Sequence, residues 1–361
     1  MDIHFNAYKV KYQQMNYFLK PIRNSQIIST INIFISLDDL FHSLHKPIVN
    51  NEFQVCGTDA SKQLISNAFN VLGHYRNWAI KERLNVRVFG IYTSNLRSFK
   101  NNIYIHDYRK RFRELNDESS GVYYFINQAI FNALPQLNII SNYIPGVYMI
   151  DSKYLEPSML PLYISENVFN ADWNIVVSRD SYDLQYAYRN KWSLISPRGD
   201  NSYFINEKNM WDYLNIKERI YKDPIELQYD YSLYTISKAI VGDKYRDIPR
   251  LRKIGWKTLF KYLDEIKEED HSSVILSKRN LLKLLQDKKI TDEDINNNIY
   301  CIDIDMQYNA LMDIDRTAIQ VQIQDIPDDR NLQIMNNSIF SKFPINLQFL
   351  RNQSASKTPF D

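Results

Sequence analysis

At 361 residues, with 44% hydrophobic and 24% charged positions, the chain is long enough for one large domain or about two, and it can bury a sizeable core. Lys and Arg number 44 against 42 Asp and Glu, a formal net charge of +2 that excludes a bulk polycation; affinity for nucleic acid would have to come from local patches. Two distant cysteines, Cys56 and Cys301, exclude a multi-cysteine zinc site, and no run approaches the ~18 apolar residues that span a bilayer.

Residues 1–28 carry no clear period and read as an extension that docks on the body or on a partner. They lack a basic-then-apolar signal pattern, so the expectation is a soluble, unexported protein that does not engage a membrane. Thr30 to Leu37, TINIFISL, is β-branched and apolar and predicts a buried strand, followed by Asp38 and Asp39 as a helix-capping stop. Residues 60–84 place Leu64, Ala68, Val71, Leu72, Tyr75 and Trp78 on one side of a helix, and NVRVFGIY over 85–92 predicts a second strand. A helix across 121–134, a strand at 146–150, a helix after Glu156, a strand at 173–178 and a helix from Asp180 continue the alternation. That order predicts an α/β fold, a mostly parallel sheet flanked by helices, with its site at the carboxyl ends of the strands.

Short strands and a helix around Trp211 follow, then a helical region over 231–290. NIYCIDID, residues 298–305, reads as one more strand before a polar tail. The domain layout expected is an extension over 1–28, an α/β domain over 29–230, a helical region over 231–290 and a C-terminal extension over 291–361. Only 8 Gly accompany 26 Tyr and 18 Phe, with plentiful Asn, Ile and Lys, a composition that suggests an AT-rich coding sequence of the bacteriophage kind. The tyrosines read either as core or as amphipathic interface area.

Val241 to Leu259, VGDKYRDIPRLRKIGWKTL, is the most informative stretch. Lys244, Arg246, Arg250, Arg252, Lys253 and Lys257 stand against Asp243 and Asp247 only, while Ile248, Leu251, Ile254 and Leu259 supply an apolar side. A turn near 253–255 and a helix starting at Trp256 or Lys257 fit the pattern. Unpaired N–H groups at a helix start, with Arg and Lys around them, suit a phosphate backbone, and a solvated basic face suits the same residues. The same two readings apply to Arg109, Lys110, Arg111 and Arg113. His42, His45, His74, His106 and His271 show no ligand spacing.

GDKYRDIPRLRKIGWKT resembles the GDxSDNIPGVxGIGxKTA segment of the 5′ nuclease and flap endonuclease family, in its bacterial and phage branch. Gly242, Asp243, Lys244, Ile248, Pro249, Ile254, Gly255, Lys257 and Thr258 fall in register. IVVSRDSYDLQ over 175–185 is similar to the family's IVSGDKDLLQ strand and turn, TINIFISLDDLFHSL occupies the place of its first strand, and VRVFGIYTSNLRSF followed by YRKRFR is similar to its FD…TFR…YKxxR stretch. The resemblance implies a PIN-like 5′ nuclease fold with a helix-hairpin-helix region, duplex DNA as partner, and carboxylates at the strand ends that hold divalent metal. It places the run at 109–113 where the family threads a flap.

The same resemblance exposes departures. Ser36 stands at the first-strand Asp and Gly90 at the Asp of FD. Ser158 and Met159 stand at the aspartates after Glu156, Tyr182 at the partner of Asp180, and Arg246 at the acid after Asp243. Two hairpin glycines are replaced by Arg250 and Lys253, which obstructs close backbone approach to phosphate. Glu156, Asp180 and Asp243 are the acids that remain, and each also reads as a residue at a helix start. Asp38, Asp39, Asp183 and Asp247 lie within three residues of vacant positions, but using Asp183 or Asp247 would misplace Gln185 or Ile248 and Pro249. The expectation is a catalytically degenerate 5′-nuclease-like protein with no cofactor, reused as a scaffold or DNA-associated component among protein partners, in a phage particle or the host cytoplasm. An active enzyme with a rearranged Mg or Mn site and a metal-independent duplex binder are the alternatives.

Overall fold

The computed structural model describes residues 8–25, 27–43, 57–92, 132–139, 141, 144, 146–152, 156–198, 201–221, 229–243, 248–269, 281–283, 285–286 and 290–310. Six strands form one sheet: β1 (Thr30–Ser36), β2 (Asn85–Tyr92), β3 (Val147–Asp151), β4 (Trp173–Val177), β5 (Trp192–Arg198) and β6 (Asn201–Ile205), in the order β3-β2-β1-β4-β5-β6. All pairings are parallel except β5 with β6. The α/β architecture expected from the alternation is therefore present. The strand order reverses between β1 and β4, and a sheet of this kind has a crevice at the carboxyl ends of that pair.

Side chains alternate across the sheet with period two. Ile31, Ile33 and Ile35 of β1, Val88 of β2, Met149 of β3 and Ile175 and Val177 of β4 enter one apolar core. Phe34, Phe89, Tyr148 and Val176 enter the other. Helices cover both faces, so β1 is apolar on both sides, as a central parallel strand must be. The first core is roofed by α1 (Tyr12–Ser25), α2 (Leu37–Ser43) and α3 (Gly57–Lys81). On it, α1 buries Met15 and Leu19, and Asn16 accepts from the Trp78 indole at 2.7 Å while donating to Glu82 at 2.7 Å. The segment before β1 thus packs on the body.

The second core is larger. It takes in α4 (Leu160–Asn167), α5 (Met210–Glu218), α6 (Leu233–Val241), α7 (Trp256–Glu269), α8 (Asp292–Ile302) and α9 (Ile304–Asn309). A row of stacked rings crosses the sheet beneath them, with centroids 5.0 Å apart for Tyr148 and Phe89, 4.9 Å for Phe89 and Phe34, and 5.9 Å for Phe34 and Trp192. Tyr75, Tyr182, Tyr186 and Tyr234 are fully buried in the core, whereas Tyr17, Tyr231 and Tyr300 are exposed.

Two readings change. NIYCIDID is helical, divided between α8 and α9. Thr291 and Asp294 close a reciprocal capping box, each backbone N–H bonded to the other side chain at 3.1 Å, and Ile295, Asn298 and Ile302 then fall on one buried stripe. A short apolar run does not distinguish strand from helix, and here the cap decides. The helix read from Asp180 is a 3₁₀ segment, Tyr182–Tyr188. The helix expected over 121–134 lies outside the described residues except at its end, where 132–139 is helical.

The amino ends of β1 and β4 are fastened by Asp172. One carboxylate oxygen accepts from the Ser29 and Thr30 amides at 2.9 and 2.8 Å and from their hydroxyls at 2.9 and 3.0 Å. These donors hold the carboxyl well below the usual carboxylate range. Asp172→Asn should lower stability by roughly 1 kcal/mol at neutral pH, the net worth of hydrogen bonds at a partly exposed site. Since the folded pKa is depressed, the wild-type advantage is present above about pH 5 and fades as pH falls through the folded value. Urea midpoints of the two proteins, measured from neutral to acid pH, should converge.

Candidate functional site

Ser36 ends β1, and its hydroxyl accepts from the Asp39 amide at 3.3 Å in the first turn of α2. Asp39 does not cap its own helix. Its Oδ2 accepts from the Ser178 hydroxyl at 2.9 Å and the Arg179 amide at 2.8 Å, tying α2 to the turn after β4. Ser178 Oγ in turn accepts from the Asp180 amide at 3.0 Å, and Asp180 Oδ1 accepts from the Tyr182 amide at 2.9 Å. Asp180 therefore closes a local Asx-type turn before the 3₁₀ segment, whose N-cap position is Ser181, not Asp180. A chain of short polar contacts closes the carboxyl ends of β1 and β4.

The position of Gly90 is filled from outside. A Cβ there would lie 2.8 Å from Leu37 Cδ1 and 2.8 Å from Met149 Sδ. Ser158 and Met159, in a 3₁₀ turn over Pro157–Met159, are buried; the Ser158 carbonyl accepts from the Tyr186 hydroxyl. Glu156 precedes that turn, is 3% exposed and makes no side-chain cap to it. Tyr182 reaches away from the strand ends, its hydroxyl donating to Gln307 Oε1 on α9 at 3.1 Å. Gln185 beside it donates to the Ile302 carbonyl at 2.9 Å and accepts from the Ile304 amide at 3.2 Å. Tyr182 and the 157–159 turn thus pack with the C-terminal helices.

Asp243 follows α6, and the clamp helix it reads as capping falls on residues 244–247, outside the described residues. Gly242 ends the helix at φ +73°, where a Cβ would lie 2.6 Å from the Ile248 carbonyl oxygen, so glycine is required. Asp243 and Ile248 then exchange backbone hydrogen bonds of 3.0 and 2.9 Å, and Asn298 on α8 donates to the Ala239 and Pro249 carbonyls at 2.8 and 2.9 Å. The Asp243 carboxylate meets Lys238 Nζ at 3.0 Å, both side chains being almost fully buried. Lys238 also donates to Ser181 Oγ at 3.1 Å, and the Tyr234 hydroxyl donates to the Ser181 carbonyl. A second ammonium, Lys217, donates to the Arg179 carbonyl at 2.7 Å; burial pushes its pKa down and the nearby Asp180 charge opposes that shift.

The resemblance implies divalent metal, and these residues do not fit it. Among the described residues, no group of three or more His, Cys, Asp and Glu could hold an ion. The chemistry agrees: Asp39 is occupied by N–H and O–H donors, Asp180 by an amide and Asp243 by an ammonium. Asp180 and Asp243 are brought to one neighbourhood through Ser181 and Lys238. Glu156 does not form a metal-capable group with them. Lys238, Lys217, Ser178 and Ser181 escaped the sequence reading, which weighed Asp39 as a helix cap or a substitute acid but not as a tie to the turn after β4. One signal was available for Lys238, the sole charge in LYTISKAIV, on a helix that is apolar all round.

After Pro249, a 3₁₀ turn over Leu251–Lys253 leads to α7, which begins at Trp256 as the spacing predicts. Arg250, Arg252, Lys253 and Lys257 are exposed around that turn. Lys253 keeps φ +62° and Arg252 φ +46°, whereas Arg250 is extended at φ −73°. Of the two basic residues that stand at the glycine positions of the resembling motif, Lys253 is left-handed and Arg250 is not. Lys244, Arg246, Arg109, Lys110, Arg111 and Arg113 lie outside the described residues.

A mostly parallel sheet whose strand order reverses at β1 and β4, with a helical region against its carboxyl ends, is a 5′-nuclease-like fold. Two solved structures from bacteriophage T5 carry that likeness. One is a flap endonuclease in a pseudo-enzyme complex with product DNA and metal ions, at TM-score 0.51 and 14% identity, covering 82% of this chain and 97% of that one. The other is the T5 5′-exonuclease with bound zinc, at TM-score 0.50 and 14% identity, covering 82% and 99%. No family model and no curated protein matches the chain.

Gly90→Asp should cost about 2 kcal/mol or more, because the carboxylate enters apolar packing against Leu37 and Met149; an unchanged denaturation midpoint would show that the position is open. Lys253→Gly should raise stability by about 0.5–1 kcal/mol, the left-handed penalty less the freedom glycine gains on unfolding, while Lys253→Ala brings no gain. Urea denaturation of the three proteins reads both effects.

Proposed function

We propose that this chain is a catalytically degenerate 5′-nuclease-like protein that works as a DNA-associated scaffold, holding duplex backbone without metal. The observation that carries the reading is the reassignment of the acidic positions. Ser36 holds the start of α2, Gly90 is filled by Leu37 and Met149, Tyr182 bonds to α9, and Asp243 is neutralised by Lys238. Metal-assisted phosphodiester cleavage needs carboxylates free to take hard cations, whereas Asp180 accepts from the Tyr182 amide and Asp243 is paired with Lys238.

The exposed cations at 250, 252, 253 and 257 support duplex contact through side chains, which is sequence-independent and salt-sensitive. The related T5 flap endonuclease is complexed with DNA. Tyrosine-rich, glycine-poor composition supports a phage origin and protein partners in a larger assembly, for which mass spectrometry of purified particles is the direct check.

Flap and nicked-duplex substrates incubated with Mg²⁺ or Mn²⁺ should remain uncut, and duplex binding should persist in chelator. Four phosphate contacts imply a slope of log K against log salt of about −3.6, and replacing Arg252 and Lys253 with Ala should reduce it by about 2. Metal-dependent cleavage lost in Asp180→Ala would establish the enzyme instead. Binding indifferent to salt would remove the basic turn from the interface.

A further inference from the structure

The carboxyl ends of β4 and β5 carry positive charge that the acidic positions do not balance. We propose that Arg179 and Arg198 form a two-arginine fork that binds a phosphate monoester, either the terminal phosphate of a nucleic-acid strand or that of a nucleotide.

Val177 and Ile195 are partners in the parallel pairing of β4 with β5, and the Ser178 amide donates to the Ile195 carbonyl at 3.0 Å. Arg179, just after β4, and Arg198, the last residue of β5, therefore emerge from adjacent strands at the carboxyl edge of the sheet, where open α/β sheets take their ligands. Arg198 shares a face of β5 with Ser196, whose hydroxyl lies 2.6 Å from the Tyr213 hydroxyl on α5. Burial pushes the Tyr213 hydroxyl up, and the Arg198 and Arg179 charges both oppose that shift, so the two guanidiniums act on one point. Lys217, with its Nζ 6.0 Å from the centre of the Tyr213 ring, is balanced by Asp180, Glu218 and Asp39. The arginines are not: among the described residues neither makes an ion pair or a side-chain hydrogen bond. Arg198 Nη1 is closed to solvent yet meets no acceptor, an unfavourable arrangement that an incoming oxyanion relieves. Arg198 is half-buried and Arg179 exposed, so packing holds one guanidinium while the other stands open to solvent. A monoester carries a charge of about −1.5 to −2 at neutral pH and presents three acceptor oxygens, which suits two uncompensated guanidiniums better than a singly charged diester of the strand interior. The inference does not depend on duplex binding by the basic turn.

The test is arginine modification by phenylglyoxal, followed residue by residue with peptide mass spectrometry on the full chain, at constant ionic strength set with chloride. The probes are inorganic phosphate, a 5′-mononucleotide, and one duplex prepared with 5′-phosphate or with 5′-hydroxyl ends. In inorganic phosphate, modification of Arg179 and Arg198 should slow saturably with a shared midpoint, about tenfold at ten times the dissociation constant, while the exposed Arg83 continues to react. Arg198→Ala should remove the protection of Arg179. A strand end as the source makes the phosphorylated duplex protect at lower concentration than the hydroxyl-ended one, and a nucleotide as the source makes the mononucleotide the strongest probe. Equal protection of Arg83, no protection by any probe, or protection of Arg179 that survives Arg198→Ala overturns the proposal. Equal protection by both duplexes with none by phosphate or mononucleotide also overturns it, because the arginines then contact internal diesters. If Arg198→Ala does not fold, the wild-type midpoints decide: coincident values for Arg179 and Arg198 support one shared site, and separated values overturn it.

Discussion

Enclosure of β1 is the constraint on which the rest of the molecule depends. The strand is hydrogen-bonded to β2 on one edge and β4 on the other, and apolar helices cover both its faces. Polar groups at its ends therefore have to be met from within the protein, because an unpaired buried donor or acceptor costs about 1–3 kcal/mol. At the amino end Asp172 gathers the amides and hydroxyls of Ser29 and Thr30. At the carboxyl end Ser36, Asp39, Ser178 and Asp180 pass hydrogen bonds from β1 through α2 to the turn after β4. The crevice that strand reversal creates is stitched by short side chains.

The residues at the positions read from the family resemblance as lacking an acid each have a different physical use. Gly90 lets Leu37 and Met149 close over β2, which a carboxylate would prevent. Tyr182 is long enough to reach Gln307, and with Gln185 it secures the junction of α8 and α9. Lys238 pairs with the buried Asp243 carboxylate, and Asn298 binds the carbonyls on either side of the loop that follows α6. The C-terminal helices are consequently part of the strand-end architecture. The basic turn at 250–257 is attached to that frame through Ile254, Trp256 and Leu259, which belong to the same core as the sheet.

Much of this frame was legible residue by residue. TINIFIS and NVRVFGIY carry strand composition and a two-sided apolar character that only a central parallel strand needs, so β1, β2 and the sheet's position could be read directly. Trp256 as the start of α7 followed from the glycine and proline punctuation before it. NIYCIDID was misread because its apolar spacing suits either period, and the decisive Thr291 and Asp294 box lies outside the run. The role of Asp39 was misread for a related reason. A carboxylate beside a helix end looks like a cap locally, but its actual donors come from Ser178 and Arg179, about 140 positions away.

By itself, the sequence determined the α/β class and the mostly parallel strands, while the absence of acids at Ser36, Gly90, Ser158, Met159 and Tyr182 is an expectation that the family resemblance alone supplied. Class and strand direction are local matters of composition, periodicity and side-chain chemistry. Only the tertiary structure decided what fills the vacancies: hydrophobic closure at Gly90, a tyrosine bridge to α9, and an ammonium on Asp243. Such pairings depend on which distant side chains are desolvated together, and burial, which sets their energy, is a property of the folded chain as a whole.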